Sequence, residues 1–249
     1  MAGHSKFKNI MHRKGAQDKK RAKTFSRLGK EISVSAKASG PDPENNIRLR
    51  SAISAAKAVN MPKDNIDRAI KKGEGNDPDS NYEEVRYEGY GPAGIAIIVE
   101  AVTNNKNRTA AEIRSTFGKF GGNLGETGSV SHSFKRFGII SLDKKKAKED
   151  ELFEFAVDNG SEDLEVNEDE YTIYCDQNNL HTLNEKIIEK FGETKSSELI
   201  WKSQNNIDVQ EETAEKLFKL LNVLEDNEDV QSISSNFEVS DEVLQSLVQ

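Results

Sequence analysis

The hydrophobic and polar positions of this 249-residue chain change their period once, which divides the chain into two parts. From residue 19 to residue 72 the apolar positions recur three and four residues apart, as in amphipathic helices, whereas residues 1–18 show no such pattern. From residue 82 onward short apolar runs alternate with helical patterns, which predicts small sheets with helices packed on them. Between the two parts lies a predicted linker, residues 73–81, which is rich in Gly, Asp and Pro.

The first part predicts three short helices around a small apolar core. The first covers 19–38, where one face carries Phe25, Leu28, Ile32 and Ala36. A second helix runs to about residue 59, with Asp42 as its N-cap and Pro43 at its first helical position. A third covers 63–72 and ends before Gly73. Three such helices predict a helical bundle.

The second part predicts several strand–helix–strand units. Apolar or β-branched runs predict strands at 94–102, 130–134, 138–142, 171–175, 198–202 and 230–237. Helical patterns cover 109–120, 146–158, 180–191 and 211–225, the first of which opens on Thr109 and Glu112 as a capping box. The predicted fold class is therefore α+β, with a helical N-terminal domain followed by small modules of helices on sheets.

Charge is divided along the chain in the same way as the hydrophobic pattern. Residues 1–72 hold 18 Lys and Arg against 6 Asp and Glu, a net charge of +12, whereas residues 73–249 hold 17 against 37, a net charge of −20. A segment this basic attracts polyanions, of which nucleic acids and anionic membranes are the common ones in cells. The alternative is that the charges only form a solvated surface.

The cations of the first part form a basic arm and one helix face. The arm, residues 1–18, carries Lys6, Lys8, Arg13 and Lys14, with His4, Phe7 and His12 between them. Its aromatic rings can stack on unpaired bases while the cations neutralise phosphates. In the first predicted helix, one face nearly opposite the apolar one carries Lys19, Lys23, Lys30 and Lys37. In the second, Arg50 and Lys57 share one flank and Arg48 lies on the other.

Other kinds of site find little support in the sequence. The four histidines are not spaced as metal ligands, the single cysteine (Cys175) lies in a predicted buried strand, and there is no nucleophile elbow. The glycines of 89–94 precede a strand and so predict a turn, while those of 118–128 form either a partner-binding loop or a flexible connection. We therefore predict no catalytic residue, no metal site and no cofactor.

Composition also bears on location. The arm has too few large apolar residues for a membrane anchor, and no apolar run of 18 residues occurs. Residues 1–30 lack the apolar segment of a secretory signal, and although they resemble a transit peptide in composition, they continue into a well-patterned helix. We expect a cytoplasmic protein with a nucleic-acid partner and no membrane contact, whose acidic part orients it or meets a protein partner.

Long blocks of the sequence closely resemble the YebC/PmpR family. They are AGHSKFKNI, MHRKGAQDKKRAKTF, GPDPENNIRLRSAI, NMPKDNIDRAIKKG, YEGYGPAGIAIIVEAVTNNKNRTAAEIR and GGNLGETGSVSHSF, in that order along the chain. The resemblance implies three domains, the third inserted into the second: 1–80, then 82–134 with 205–240, and 135–204 inserted between them. It also implies nucleic-acid binding, either as a DNA-binding transcriptional regulator or as a ribosome-associated factor that assists translation through proline-rich stretches.

The resemblance assigns nucleic-acid contacts to residues in the matched N-terminal blocks. These are Lys6, Lys8, Arg13, Lys14, Lys19, Lys20, Arg21 and Lys23, with Arg48, Arg50 and Lys57 in the second block. Together with Phe7, His12 and Lys30 they form the predicted site. The chain departs from the family pattern at Phe7, where Trp is usual, and Phe keeps a stacking face but loses the indole donor.

Overall fold

The computed structural model describes residues 17–75 and 81–246, and its first part consists of three helices. These are α1 (Gln17–Ser39), α2 (Ile47–Ala58) and α3 (Lys63–Glu74). Both α2 and α3 pack on α1, around a core of Ile32, Ala36, Leu49, Ala52, Ala56, Met61, Ile66 and Ala69. The helical N-terminal domain is therefore confirmed, with the predicted apolar residues at its centre.

The start of α2 differs from its prediction. Asp42 is not the N-cap; its carboxylate instead accepts a hydrogen bond from the Glu44 amide at 3.0 Å and holds a turn. Asn46 is the N-cap, and its Oδ1 accepts from the Leu49 amide at 3.0 Å. The Asn46 amide group also donates to the carbonyls of Ser35 and Gly40 at 2.7 Å each, so one side chain ties the start of α2 to the end of α1.

Helix α3 extends two residues further than predicted, to Glu74, and includes Gly73. A Cβ atom at Gly73 would lie 2.4 Å from the Ser33 carbonyl oxygen and 2.8 Å from the Ala36 Cβ. The glycine therefore permits close contact between α1 and α3, and Ser33 Oγ adds a hydrogen bond to the Ala69 carbonyl at 2.8 Å.

The second part builds two four-stranded antiparallel sheets. In chain order its elements are β1 (Glu83–Tyr90), β2 (Ala96–Thr103), α4 (Lys106–Lys119), β3 (Asn123–Leu124), β4 (Phe134–Asp143), α5 (Glu149–Asp158), β5 (Ser161–Val166), β6 (Glu170–Asp176), α6 (Leu180–Phe191), β7 (Ser196–Ser203), β8 (Ile207–Asp208), α7 (Glu211–Asp226), β9 (Val230–Ser235), β10 (Phe237–Glu238) and α8 (Asp241–Ser246). One sheet has the strand order β3-β1-β2-β9 and the other β5-β6-β4-β7, while β8 and β10 form a short parallel pair.

The first of these sheets is covered on one face by α4 and α7. Its core joins Ile95, Ile97 and Val99 to Ile113 and Phe117 of α4 and to the leucines of α7. Strand β9 pairs with β2 although more than 120 residues separate them, because the whole of β4–β7 lies between. The third domain is thus inserted into the second, as the resemblance implied.

The inserted domain has the order β4-α5-β5-β6-α6-β7 and the sheet order β5-β6-β4-β7, which is the ferredoxin-like arrangement. Its core places Ile140, Leu142 and Ile173 of the sheet against Leu152 of α5 and Leu183 of α6. The chain is α+β with three domains, and no helix in the described ranges is long and apolar enough to cross a membrane.

Two local predictions in this part are wrong, and some strands were not predicted. Helix α4 begins at Lys106 with Asn105 as its N-cap, so Thr109 and Glu112 form no capping box; Thr109 is fully buried inside the helix. Residues 131–133 form a 3₁₀ turn and the strand starts only at Phe134, because the Glu88 carboxylate takes the amides of Val130 and Ser131 that a strand would need. Strands β1 and β5, which are rich in charged residues, had no predicted counterpart.

The inserted domain contacts the other face of the first sheet through Trp201. Its ring packs against Ala96, Ile98, Val130 and Phe134. Trp201 Nε1 donates to Glu100 Oε1 at 3.2 Å, and the guanidinium carbons of Arg86 and Arg136 lie 4.4 Å and 5.4 Å from the ring centroid. A polar and aromatic cluster therefore joins β1, β2, β4 and β7 across the domain boundary.

Candidate nucleic-acid interface

The lysine face of α1 contacts the second domain instead of being free in solvent. Lys30 Nζ donates to Asp229 Oδ1 at 2.7 Å, to the Glu228 carbonyl at 2.8 Å and to the Val102 carbonyl at 3.3 Å. All three protons of the ammonium group therefore have acceptors within the chain. Lys30 is a predicted nucleic-acid contact, but Asp229 of the same chain already neutralises its charge.

Asp229 is the centre of this contact. Its Oδ2 accepts from Arg108 Nη2 and Thr109 Oγ1 at 2.7 Å each and from Thr103 Oγ1 at 3.1 Å. Burial by itself would raise the pKa of Asp229, but the hydrogen bonds from Lys30, Thr109 and Arg108 outweigh it and lower the pKa to about 2. The carboxylate is therefore ionised at neutral pH and holds the start of α4, the end of β2 and α1 together.

Two further cations of α1 lie at the C-terminal end of α7. Arg27 Nη2 donates to the Glu225 carbonyl at 3.0 Å, and Lys23 Nζ lies 3.1 Å from Asp226 Oδ1. The end of a helix carries free carbonyls and partial negative charge, so cations are favoured there. Burial lowers the pKa of both side chains, and Asp226 partly offsets this for Lys23.

The two arginines of α2 are also engaged within the chain. Arg48 forms ion pairs with Glu31 of α1 and Glu84 of β1. Arg50 pairs with Glu185 of α6 and donates to the carbonyls of Pro43 and Glu44 at 3.2 Å and 3.3 Å. Lys37 is hydrogen-bonded to Asn81 at the far end of α1. These contacts join the helical domain to both of the other domains.

The remaining predicted contacts are either exposed or lie outside the residues that the structure describes. Arg21 is exposed, with its guanidinium carbon 5.3 Å from the centroid of the Phe25 ring, and Lys57 is exposed at the end of α2. Lys19 and Lys20 lie in the first turn of α1, but their side chains are outside the described part. The arm residues Lys6, Phe7, Lys8, His12, Arg13 and Lys14 also lie outside the described residues.

The structure adds a groove between α1 and α3 that the sequence did not indicate. It has a volume of about 330 Å³, and its walls carry two exposed cations of α3, Arg68 and Lys72, facing Phe25 and Ser26 of α1. Arg68 and Lys72 lie one turn apart in the sequence, next to the buried Ala69. This spacing could have indicated that both side chains lie beside a contact between two helices.

The glycine-rich segment after α4 is held by the sheet. Gly125 N donates to the Glu88 carbonyl at 2.8 Å, and Tyr90 Oη donates to the Ser129 carbonyl at 2.9 Å. Glu88 itself is 1% exposed; burial would raise its pKa, but hydrogen bonds from the amides of Val130, Gly128 and Ser131 lower it. These contacts favour a fixed connection over a freely moving loop in this part of the segment.

The described residues among those considered for other chemistry show no reactive arrangement. Cys175 is fully buried, and burial raises the pKa of its thiol to about 11, as expected of an inert cysteine. Within 17–75 and 81–246 there is no group of three or more His, Cys, Asp or Glu side chains placed to hold a metal ion.

Comparison with known proteins covers nearly the whole chain. Residues 5–76 match the model of the TACO1/YebC protein N-terminal domain, and residues 82–237 match that of the TACO1/YebC second and third domain, a model whose short name denotes a transcriptional regulator. A crystal structure of the conserved hypothetical protein Aq1575 from Aquifex aeolicus is 45% identical and superposes with a TM-score of 0.82, over 90% of this chain and 93% of the other. The chain therefore belongs to the TACO1/YebC family, as its resemblance to the YebC/PmpR family implied.

Proposed function

We propose that this protein is a non-enzymatic, cytoplasmic regulator of gene expression that binds nucleic acid through its N-terminal part. The observation that carries the proposal is the net charge of +12 in residues 1–72, against −20 in the rest of the chain. Among the described residues, four of these cations, Lys23, Lys30, Arg48 and Arg50, form ion pairs with carboxylates of the same chain. The phosphate-binding charge is therefore assigned to the arm, the start of α1 and the exposed cations Arg21 and Lys57.

Two forms of this function are distinguished by their nucleic acid. As a DNA-binding transcriptional regulator, in keeping with the short name of the matched family model, the protein would bind duplex DNA with sequence selectivity. The alternative is a ribosome-associated translation factor, which is favoured by a long basic segment that could follow rRNA backbones. In both cases the acidic domains orient the protein or contact a protein partner.

The test replaces four cations of the arm in the full chain. Lys6, Lys8, Arg13 and Lys14 are changed to Gln, and the control carries the same four changes at Lys144, Lys145, Lys146 and Lys148 of the inserted domain. Affinity for labelled duplex DNA and co-sedimentation with ribosomes are measured over a series of salt concentrations. Each lost phosphate contact lowers the slope of log K against log salt by about 0.9 on duplex DNA.

We expect the arm variant to bind at least about tenfold more weakly, with a salt slope reduced by about 3 to 4, and the control to bind as the unchanged protein does. Equal binding by the arm variant would overturn the proposal. Sequence-selective binding of duplex DNA without ribosome association would identify a transcriptional regulator. Salt-sensitive association with ribosomes and no selectivity on DNA would identify the translation factor.

A further inference from the structure

The groove between α1 and α3 arises from the way these two helices pack. They are in close contact at Gly73, which lies against Ser33 and Ala36, and one turn earlier at Ala69, whose carbonyl accepts from Ser33 Oγ. Towards its N-terminus α1 presents small residues to the groove, namely Ala22, Ser26 and Gly29. A Cβ atom at Gly29 would meet no other atom within 4 Å. The helices are therefore in contact at one end of the groove, and small side chains leave space along the rest.

One wall of the groove carries positive charge that no described residue neutralises. Arg68 Nε donates to the Asp64 carbonyl at 3.2 Å and its Nη2 to Asn65, so the guanidinium is positioned by its own helix but forms no ion pair with another described residue. Lys72 lies one turn further along and is likewise exposed without an ion pair to the described part of the chain. The lining residues include no carboxylate. This distinguishes Arg68 and Lys72 from Lys23, Lys30, Arg48 and Arg50.

The groove also has apolar and aromatic lining residues. Phe25 of α1 is half-buried, with the guanidinium carbon of Arg21 over its ring at 5.3 Å from the centroid, while Met61 and Ala69, each 6% exposed, lie on the α3 side. Tyr82 and Lys30 close one end, with Lys30 Nζ 5.7 Å from the Tyr82 ring centroid. Because Lys30 is neutralised by Asp229, the ligand-binding charge of the groove lies with Arg68 and Lys72.

An aromatic ring beside two cations that form no ion pair with a described residue matches a nucleotide, which joins a planar base to an anionic phosphate. The volume of about 330 Å³ is at the lower end of the range of about 300–1,000 Å³ for small-molecule sites, and so has room for one nucleotide. In a duplex the bases are paired and stacked inside the helix, and only an unpaired base could enter.

We propose that this groove binds one unpaired nucleotide of a single-stranded nucleic acid, with the base against Phe25 and the phosphate at Arg68 and Lys72. This inference rests on the proposed function and adds to it a second site, formed by folded helices and separate from the basic arm. The arm supplies attraction without selectivity, and the groove makes the protein prefer single strands.

The test fills the groove without disturbing the helices around it. The variant Gly29→Leu places a side chain in open space of the groove, Lys72→Glu reverses one of its charges, and Lys148→Glu on the inserted domain is the charge-matched control. The probes are labelled oligouridylate RNA and oligothymidylate DNA of about 12 nucleotides, and a duplex DNA of equal length. Circular dichroism and thermal unfolding show that each variant is folded.

Stacking of one base is worth about 1–3 kcal/mol, so we expect Gly29→Leu to weaken single-strand binding by about 5- to 150-fold and to leave duplex binding unchanged. Lys72→Glu should weaken single-strand binding, and Lys148→Glu should have no effect. The RNA and DNA probes show which kind of single strand supplies the nucleotide. A photoactivated thiouridine probe should crosslink to peptides that contain Phe25 or Tyr82.

Two results would overturn this inference. One is single-strand binding by Gly29→Leu and Lys72→Glu that equals binding by the unchanged protein. The other is crosslinking confined to the arm. Either result leaves the proposed function standing, because the unchanged protein still binds. If the unchanged protein binds none of the probes and no ribosomes, the proposed function fails together with the groove.

Discussion

Lys30 Nζ lies 2.7 Å from Asp229 Oδ1, and the two side chains are only 11% and 7% exposed. This buried pair joins the helical domain to the second domain, and it changes the meaning of the lysine face of α1. Cations that the sequence offers to a polyanion are used here to attach one domain of the chain to another. Nucleic-acid contacts are left to cations that lie away from this interface.

Replacing Lys30 with Met should destabilise the protein strongly. The change removes one of the two cations paired with Asp229 while Arg108 remains, so we expect a loss of about 1.5–3 kcal/mol, the value of a hydrogen bond to a charged group. Urea unfolding of Lys30→Met would measure this loss. The same change at the exposed Lys57 should alter the free energy of unfolding by less than about 0.5 kcal/mol, and equal effects at the two positions would show that the buried pair does not stabilise the fold.

The free energy of unfolding at acid pH should depend on Asp229. Its pKa is lowered from 3.8 to about 2 in the folded protein, so the stability it contributes is complete above about pH 4 and is lost as the pH falls to about 2. A shift of this size corresponds to about 2 kcal/mol at neutral pH. The gap in unfolding free energy between the unchanged protein and Asp229→Asn should therefore narrow over this interval. A gap that stays constant down to about pH 2 would contradict the assignment.

Replacement by Ala should have opposite effects on stability at two helical glycines, Gly73 in the contact between α1 and α3 and Gly118 in α4. Gly73→Ala should destabilise by about 1–3 kcal/mol, since the new Cβ would meet the Ser33 carbonyl oxygen at 2.4 Å. Gly118→Ala in α4 meets nothing within 4 Å and should stabilise by about 0.5–1 kcal/mol through helix propensity. Thermal unfolding of both variants checks the contrast, and stabilisation by Gly73→Ala would mean that the helices are further apart.

Trp201 is the only tryptophan, so its emission reports on the contact between the second and inserted domains. Trp201→Phe should lower the free energy of unfolding by about 1–3 kcal/mol, because Glu100 loses a hydrogen-bond donor and two arginines lose their aromatic partner. Phe153→Leu, at a side chain that is 52% exposed, is the control and should change little. In the unchanged protein the emission should shift to the red as this interface opens in urea.

Cys175 should be unreactive in the folded protein. Its thiol is fully buried and its pKa is raised to about 11, so thiolate is scarce at pH 8. A chromogenic disulfide reagent should therefore modify one thiol per chain in denaturant and none on the same timescale without it. Rapid modification of the native protein would show that β6 opens readily.

Helices with clear apolar periods were predicted well, and elements whose ends depend on side chains were not. Helix α6 has the predicted bounds, 180–191, because its leucines and isoleucines fall on one face and Gly192 ends it. The start of α2 was missed because Asn46 serves α1 as well as α2 through its hydrogen bonds to Ser35 and Gly40. Strand β1 was missed because its alternating charged residues pair with partners on other strands and helices.

The candidate site, too, could be predicted from the sequence only in part. The charge division and the motifs of the first 72 residues were visible in the sequence, and so was the family to which they belong. The sequence did not show which cations remain unpaired, because ion pairs form between residues that only folding brings together. Asp229 lies about 200 residues from Lys30, and Glu185 lies 135 residues from Arg50.

The sequence by itself determined the class of fold, the family and the polyanion-attracting character of the N-terminal part, because these follow from local periodicity, composition and motifs. Only the tertiary structure decided which charges neutralise each other, where α1 and α3 leave a groove, and that Arg68 and Lys72 line it. The physical reason is that ion pairing and cavity shape depend on distances across the fold, and long-range contacts such as Lys30 with Asp229 have no signal in local sequence.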